Sequence, residues 1–225
     1  MIYITGDTHG EQARFSPAAM PGEASMRPGD TLIVCGDFGY IFEGSERESA
    51  FLDTLAEKPY TICFCDGNHE NFPAIYAYPR EVWHGGSVHR IRRNIFHLTR
   101  GQVFEIERKR IFTMGGAYSI DRYMRKEGLS FWRAELPTND EYREAVQNLR
   151  EAGNSVNYIV THTAPREIIR RMGKYPDAHD AELTGFLEWI MYEVKFEKWF
   201  FGHWHTDEEI DGRFRALWFD VEVIP

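Results

Sequence analysis

Five short apolar runs, each rich in β-branched or aromatic residues, stop at a residue able to bind a cation. Residues 2–5 lead into Gly6-Asp7-Thr8-His9-Gly10, residues 31–35 into Gly36-Asp37, and residues 61–65 into Asp66-Gly67-Asn68-His69-Glu70. Residues 156–161 lead into His162, and residues 199–201 into Gly202-His203-Trp204-His205. Near-continuous apolar runs of this kind predict parallel strands covered on both faces. The strand period of two points His203 and His205 to one side if extended geometry continues past the run. Gly202 lets the backbone turn tightly just before them.

Helical spacing fills the gaps between the runs. Ala50, Phe51, Leu55 and Ala56 predict a helix over 45–58. Thr138 with Glu141 three residues on forms a capping box for a helix reaching about Ala152, with Tyr142, Val146 and Leu149 inward and a stop at Gly153. Leu183, Leu187, Ile190, Met191 and Val194 predict another over 181–194. Shorter helical turns are expected at 11–20, interrupted by Pro17, and at 71–78, stopped by Pro79. Strand, helix, strand at this pitch is a βαβ pattern with parallel strands, and ligands of such sheets collect at the carboxyl ends of the strands. Residues 95–99, 102–106 and 110–114 read as three short strands in an antiparallel part of the sheet. Residues 208–210 and 214–219 read as a closing pair turned at Asp211-Gly212. The stretch 84–94 holds Gly85-Gly86 and the run His89-Arg90-Ile91-Arg92-Arg93. It reads as a solvated basic loop or, alternatively, as a substrate-facing loop that attracts phosphate.

The chain has 225 residues, 43% of them apolar and six of them Trp, which suits one domain over 1–225 with a full core. A net charge of −9 argues against broad binding to nucleic acid or an anionic membrane. It leaves room for a local cationic site. The three Cys lie in or beside apolar runs and read as buried thiols rather than a disulfide framework. No apolar run approaches the roughly 20 residues that span a bilayer. The N-terminal Met leads straight into a strand pattern without a basic leader, so the expected location is cytoplasmic.

The groups at the strand ends are Asp7, His9, Asp37, Asn68, His162, His203 and His205. Taken singly each has a plainer use, such as Asp7 capping the next helix. Together they are too nitrogen-rich for calcium or magnesium alone, and they lack the thiolates of a structural zinc site. Mixed N/O ligation suits manganese, iron, cobalt, nickel or zinc. Seven groups exceed one four-coordinate ion and match two ions sharing a carboxylate, about 3.5–4 Å apart. Such a pair clamps a phosphoryl group and lowers the pKa of a bridging water, whose hydroxide attacks phosphorus in line. Further along, Gly115-Gly116-Ala117-Tyr118-Ser119-Ile120-Asp121-Arg122 is a flexible stretch. Arg122 and Arg125 could hold a phosphate oxygen bidentately or pair with surface carboxylates.

With Asp7-x-His9, Gly36-Asp37, Gly67-Asn68-His69-Glu70, His162 and Gly202-His203-x-His205 in that order, the chain resembles the calcineurin-like metallophosphoesterases from residue 5 to 205. The resemblance implies an α/β fold: a four-layer αββα sandwich of two mixed sheets, the metallo-dependent phosphatase fold. It implies Asp7, His9 and His205 on a first metal, Asn68, His162 and His203 on a second, and Asp37 bridging both. It makes His69 the general acid for the leaving alcohol or a stabiliser of the developing charge. The implied protein is a metal-dependent phosphoesterase, phosphomonoesterase or phosphodiesterase, using two divalent transition-metal ions. Manganese leads, with iron, zinc, nickel and cobalt as alternatives. The substrate would be a small phosphate ester or a phosphorylated macromolecule.

The chain departs from the Ser/Thr protein phosphatases of this fold, whose second motif runs Gly-Asp-x-x-Asp-Arg-Gly. Tyr40 and Ile41 occupy the later Asp and Arg positions, so orienting the histidine and gripping phosphate are unassigned. The Gly115-Gly116-Ala117 loop with Arg122 looks similar to small bacterial or phage-type members, and Arg122 is the expected replacement contact. Tyr40 is a second substrate-contact candidate, and Phe38, Tyr40, Phe72 or Tyr118 could stack a base. The competing functions are a nuclease acting on nucleic-acid ends, a nucleotide phosphodiesterase, and a metal-free scaffold of the same fold that binds proteins.

Overall fold

The apolar runs become strands that rarely exceed four or five residues, because each is stopped by the glycine or polar residue after it. The computed structural model describes residues 1–224. The first half of the chain gives β1 (Ile2–Thr5), β2 (Thr31–Val34), α1 (Glu46–Ala56), β3 (Thr61–Phe64), α2 (Phe72–Tyr76), β4 (Arg80–Trp83), β5 (Gly86–Arg92), β6 (Ile95–Leu98), β7 (Gln102–Ile106) and β8 (Lys109–Met114). The second half gives α3 (Asn139–Glu151), β9 (Tyr158–Thr161), α4 (Arg166–Arg171), α5 (Ala181–Glu193), β10 (Lys198–Phe201), β11 (Glu208–Ile210), β12 (Phe214–Ala216) and β13 (Val221–Ile224). Ser45 caps α1 by accepting from the Glu48 N–H, and Thr138 with Glu141 closes the capping box of α3.

The strands form two mixed sheets, in the orders β13-β1-β2-β3-β6-β5-β4 and β11-β12-β10-β9-β8-β7. β1, β2, β3 and β6 run parallel, as do β8, β9, β10 and β12. Side chains alternate across each sheet. Ile4, Ile33 and Cys63 share a core with Ile111, Val160 and Phe200 of the other sheet. Tyr3, Leu32 and Ile62 pack instead with Leu52 and Leu55 of α1, and Phe112, Ile159 and Trp199 pack with residues of α3, α4 and α5. Three apolar cores between four layers result, which is the αββα sandwich. All three cysteines are buried and free. No helix among the described residues is long and apolar enough to cross a membrane.

Several elements depart from the sequence pattern. The stretch 84–94 is not a loop: its basic run lies in β5, between β4 and β6. Arg90 Nε donates to Glu81 at 2.9 Å and Arg92 Nε to Asp53 at 2.6 Å, so these cations are paired within the sheet and its covering helix and face no substrate. A register shift between Arg90 and Arg92 breaks the alternation that would have identified the strand. The three strands from 95 to 114 do not make one antiparallel unit. β6 lies in the first sheet, while β7 and β8 pair in the second. The turn at Arg100-Gly101 carries the chain across, with Gly101 left-handed and packed on Ala145. Residues 11–20 contain only a 3-10 turn, Gln12–Phe15, because Ser16 before Pro17 is forced into extended geometry. α4, β4 and β13 have no counterpart in the pattern.

Beneath that crossover, Arg100 donates from Nε to Asp66 Oδ2 at 2.8 Å, and His97 Nε2 lies 3.1 Å from Asp66 Oδ1. Burial works against the Asp66 carboxylate, yet Arg100 and His97 hold its pKa down to about 2, from an ordinary 3.8. With the folded pKa below the unfolded one, this carboxylate contributes stability above about pH 4 that is lost as pH falls towards 2. Arg100→Leu strands the buried charge and should cost about 3–5 kcal/mol in urea unfolding at pH 7. A loss under about 1 kcal/mol would mean that the pair does not hold the two sheets at this point.

Candidate metal centre

Asp7 and His9 follow β1, Asp37 follows β2, Asn68 follows β3, His162 follows β9, and His203 and His205 follow β10. The fold therefore brings all seven together at the carboxyl ends of strands from both sheets. Close approach is possible only because glycines stand beside them. A Cβ on Gly202 would lie 2.1 Å from Asp7 Oδ1, one on Gly67 2.0 Å from Asp37 Oδ1, and one on Gly36 2.2 Å from His162 Nδ1. Each glycine makes room for the ligand of another motif. For Gly202 this replaces the expected tight turn, since the left-handed residues there are His203 and His205, with φ of 66° and 47°. The strand period has ended by then, and the two imidazoles go to different clusters. His9 and Asp37 are left-handed as well, at 47° and 46°. Four strained non-glycine residues at one place is a mark of a functional site.

The first cluster is Asp7, His9 and His205. The Nε2 atoms of His9 and His205 are 2.9 Å apart, and they lie 3.6 and 3.1 Å from Asp7 Oδ2. The second joins Asp7, Asp37 and His162. His162 Nε2 is 3.4 Å from Asp37 Oδ1 and 3.0 Å from Asn68 Oδ1. Asp37 spans the clusters, with Oδ2 3.8 Å from His9 Nε2. The His203 ring sits 4.9 Å from that of His162, beside the second cluster.

Proton accounting shows what this arrangement fits. His162 Nδ1 donates to the Cys35 carbonyl at 2.8 Å, which in a neutral imidazole leaves Nε2 a bare lone pair. Asn68 spends its amide N–H on Ser119 Oγ at 3.1 Å, which turns its carbonyl oxygen inward. Asp37 Oδ1 accepts from the His69 N–H at 2.7 Å, and Asp7 Oδ1 from the His203 N–H at 2.9 Å. His162 Nε2 and the side-chain oxygens of Asn68 and Asp37 thus converge, at 3.0 and 3.4 Å from that nitrogen. Such acceptors repel unless a cation lies among them. Spacings near 3 Å are those of donors about 2.1 Å from a common ion. The donor set fits divalent transition metals held by imidazole and carboxylate.

The electrostatics suit ligation. Burial opposes the Asp7 charge, but hydrogen bonds from His205 and His9 and the neighbouring His162 hold its carboxyl well below the usual range. Burial and His162 push the His203 pKa down to about 3, so it is the neutral, ligating form at pH 7. Burial and the Asp37 charge push the Glu70 carboxyl up, while its oxygens accept from the Phe38 and Gly39 N–H groups at 2.7 and 3.4 Å. Glu70 thereby fixes the loop that presents Asp37.

His69 stands beside the clusters, its ring 5.3 Å from that of His9. Burial pushes its pKa down against the pull of Asp37, and Arg125 and His9 add to the depression. The two substrate-contact candidates are otherwise engaged. Tyr40 is buried, its hydroxyl donating to the Glu11 carbonyl at 2.6 Å and its ring packed on Phe38 and Phe51. Arg122 lies 2.7 Å from buried Glu135 and over the rings of Tyr118 and Phe131. Instead, Arg125 reaches His69, with Nη2 2.9 and 3.0 Å from its two ring nitrogens. Sequence reasoning missed Ser119 and Glu135 as supports of Asn68, since nothing in their spacing links them to residue 68. A cleft of about 740 Å³ opens beside His9 and His69, with Glu11, Arg47 and Phe51 in its walls.

The family model described as calcineurin-like phosphoesterase matches residues 1–207. No curated protein matches the chain. Among solved structures, the chain is similar to a phosphopantetheinyl hydrolase from Mycobacterium tuberculosis, at 14% identity and a TM-score of 0.43, over 96% of this chain and 89% of that one. It is also similar to the sulfate thiohydrolase SoxB of Thermus thermophilus in complex with glycerol, at 13% identity and a TM-score of 0.43, over 96% of this chain and 38% of that one.

Gly202→Ala places a methyl against Asp7 and should weaken manganese binding about 10- to 100-fold while the protein stays folded. Manganese titration of the chelator-stripped variant checks this, and unchanged affinity would mean that Asp7 does not hold metal.

Proposed function

Because the chain belongs to the calcineurin-like phosphoesterase family, we propose that it is a single-domain hydrolase of phosphate esters working with two divalent ions. The observation that supports this most is the convergence of His162 Nε2 with the side-chain oxygens of Asn68 and Asp37, at 3.0 and 3.4 Å, beside the Asp7, His9 and His205 cluster. Asp7, His9 and His205 would hold one ion, and Asn68, His162 and His203 the other, with Asp37 shared. Manganese leads among the candidates, with iron, zinc, nickel and cobalt behind it. When bound, such ions neutralise charge on the phosphoryl oxygens and supply a water nucleophile at neutral pH.

The protein's own groups do the rest. The Cys35 carbonyl holds His162 in one tautomer, and Ser119 keeps the Asn68 oxygen pointed inward. The Asp37–His69 backbone bond ties the histidine to the shared carboxylate. His69 hands a proton to the leaving oxygen or stabilises its charge. Its proton affinity is depressed by burial in the free site, and a phosphate dianion opposite the ring supplies the charge that restores it. The substrate is a phosphate ester, small or carried on a macromolecule. Phosphodiester substrates, including nucleotides and nucleic-acid ends, are the second possibility, supported by the open cleft beside His9 and His69. The free, buried thiols agree with a reducing cytoplasm.

Chelator-stripped protein should be inactive and regain turnover with manganese. Comparing p-nitrophenyl phosphate with bis-p-nitrophenyl phosphate then separates monoesterase from diesterase. No turnover of either ester by metal-loaded protein would sink the hydrolase and favour the scaffold. His69→Ala should retain its metal and lose about 10²–10⁴-fold in rate, most for poor leaving groups. Loss of metal from that variant would make His69 a ligand.

A further inference from the structure

The loop over 115–138 is fixed from inside by a buried carboxylate. Glu135 accepts from the Ser119 N–H at 2.8 Å and from the Ser119 hydroxyl at 2.9 Å. Arg122 completes this knot, 2.7 Å from Glu135 and lying over Tyr118 and Phe131. Swinging Arg122 towards a substrate would strand a buried carboxylate, which is costly. Arg122 is thereby drawn into the loop towards Glu135, although its buried Nε and Nη2 make no well-directed hydrogen bond there.

Arg125, three residues on, is placed differently. Nε donates to Asp121 Oδ2 at 2.8 Å, and Nη1 donates to the Ser130 carbonyl at 3.3 Å. Nη2 also lies 2.8 Å from Asp121 Oδ2 and within 3.0 Å of both ring nitrogens of His69. A guanidinium carries five N–H groups in a rigid fork, and these partners leave some of them open. An oxygen that takes the place of this contact at His69 lies beside the same guanidinium. Asp121 anchors the fork beside the cluster. No other arginine or lysine is found against His69 among the described contacts.

We propose that Arg125, held by Asp121, is the residue that grips the substrate's phosphoryl oxygens next to His69. This rests on the phosphoesterase function proposed above. It assigns phosphate recognition to a loop far along the chain, and it makes Arg122 the loop's internal clamp.

The test uses full-length protein reloaded with manganese, with bound metal, inorganic phosphate affinity by calorimetry, and steady-state constants on p-nitrophenyl phosphate all measured. Arg125→Ala should keep its metal content, bind inorganic phosphate at least about tenfold more weakly, and raise KM to match. Wild-type phosphate affinity in that variant, or a fall in kcat with phosphate affinity and KM unchanged, would overturn the inference. Arg125→Gln decides the matter if the alanine variant does not fold, with the same loss expected and the same results overturning it. Metal-loaded wild type that turns over p-nitrophenyl phosphate while Arg125→Ala binds phosphate normally refutes this assignment alone. Metal-loaded wild type that neither binds phosphate nor hydrolyses ester overturns the hydrolase itself, and this inference with it.

Discussion

The two sheets meet at their carboxyl ends through contacts that leave no space for a single extra carbon. Asp7 occupies the volume a Cβ of Gly202 would fill, Asp37 that of Gly67, and His162 that of Gly36. These contacts link β1 to β10, β3 to β2, and β2 to β9, so they cross between the sheets as well as within one. The backbone joins in: the Asp37 carbonyl accepts from the N–H groups of both Thr8 and His9, and the His162 carbonyl from that of Gly202. A donor set spread over the chain is thereby held to a few ångströms without a disulfide or a long loop. The stiffness comes from packing, and packing of this density allows little adjustment.

That placement sets charges and lone pairs against one another, and a second tier of buried polar groups keeps them in register. Glu70 braces the Asp37 turn, Ser119 and Glu135 brace Asn68, and Arg100 neutralises Asp66 just before the Gly67-Asn68 turn. Glu70 fixes the turn that presents Asp37, Ser119 fixes the orientation of the Asn68 amide, and the Cys35 carbonyl orients the His162 ring. Left-handed geometry at His9, Asp37, His203 and His205 adds strain on the order of 1–3 kcal/mol per residue. A cation held there would offset the repulsion between the carboxylates, which would couple metal binding to local folding.

How far the sequence revealed this depended on the reach of each signal. The parallel strands and their terminal ligands were legible because each is a local pattern, an apolar run closed by a residue with a lone pair. The capping box at Thr138 and Glu141 was legible for the same reason. The role of Gly202 was not, since its reason lies in Asp7, at the other end of the chain. The strand at 86–92 was hidden by a bulge that shifted its alternation among arginines. Arg125 and Asp121 were visible as charged residues, but only the folded loop shows that Arg125 lies against His69 while Arg122 turns to Glu135.

The distribution of cations completes the physical picture. In a chain of net charge −9, Arg90 and Arg92 are taken by Glu81 and Asp53 on the outer part of the first sheet. Arg100 is taken by Asp66, and Arg122 by Glu135. A long anionic polymer would therefore find no continuous basic track along β5, and the basic run gives no support to a nucleic-acid surface. Arg125 adjoins His69 beside the carboxylate and imidazole groups that would hold two metal ions, over a span suited to one phosphoryl group.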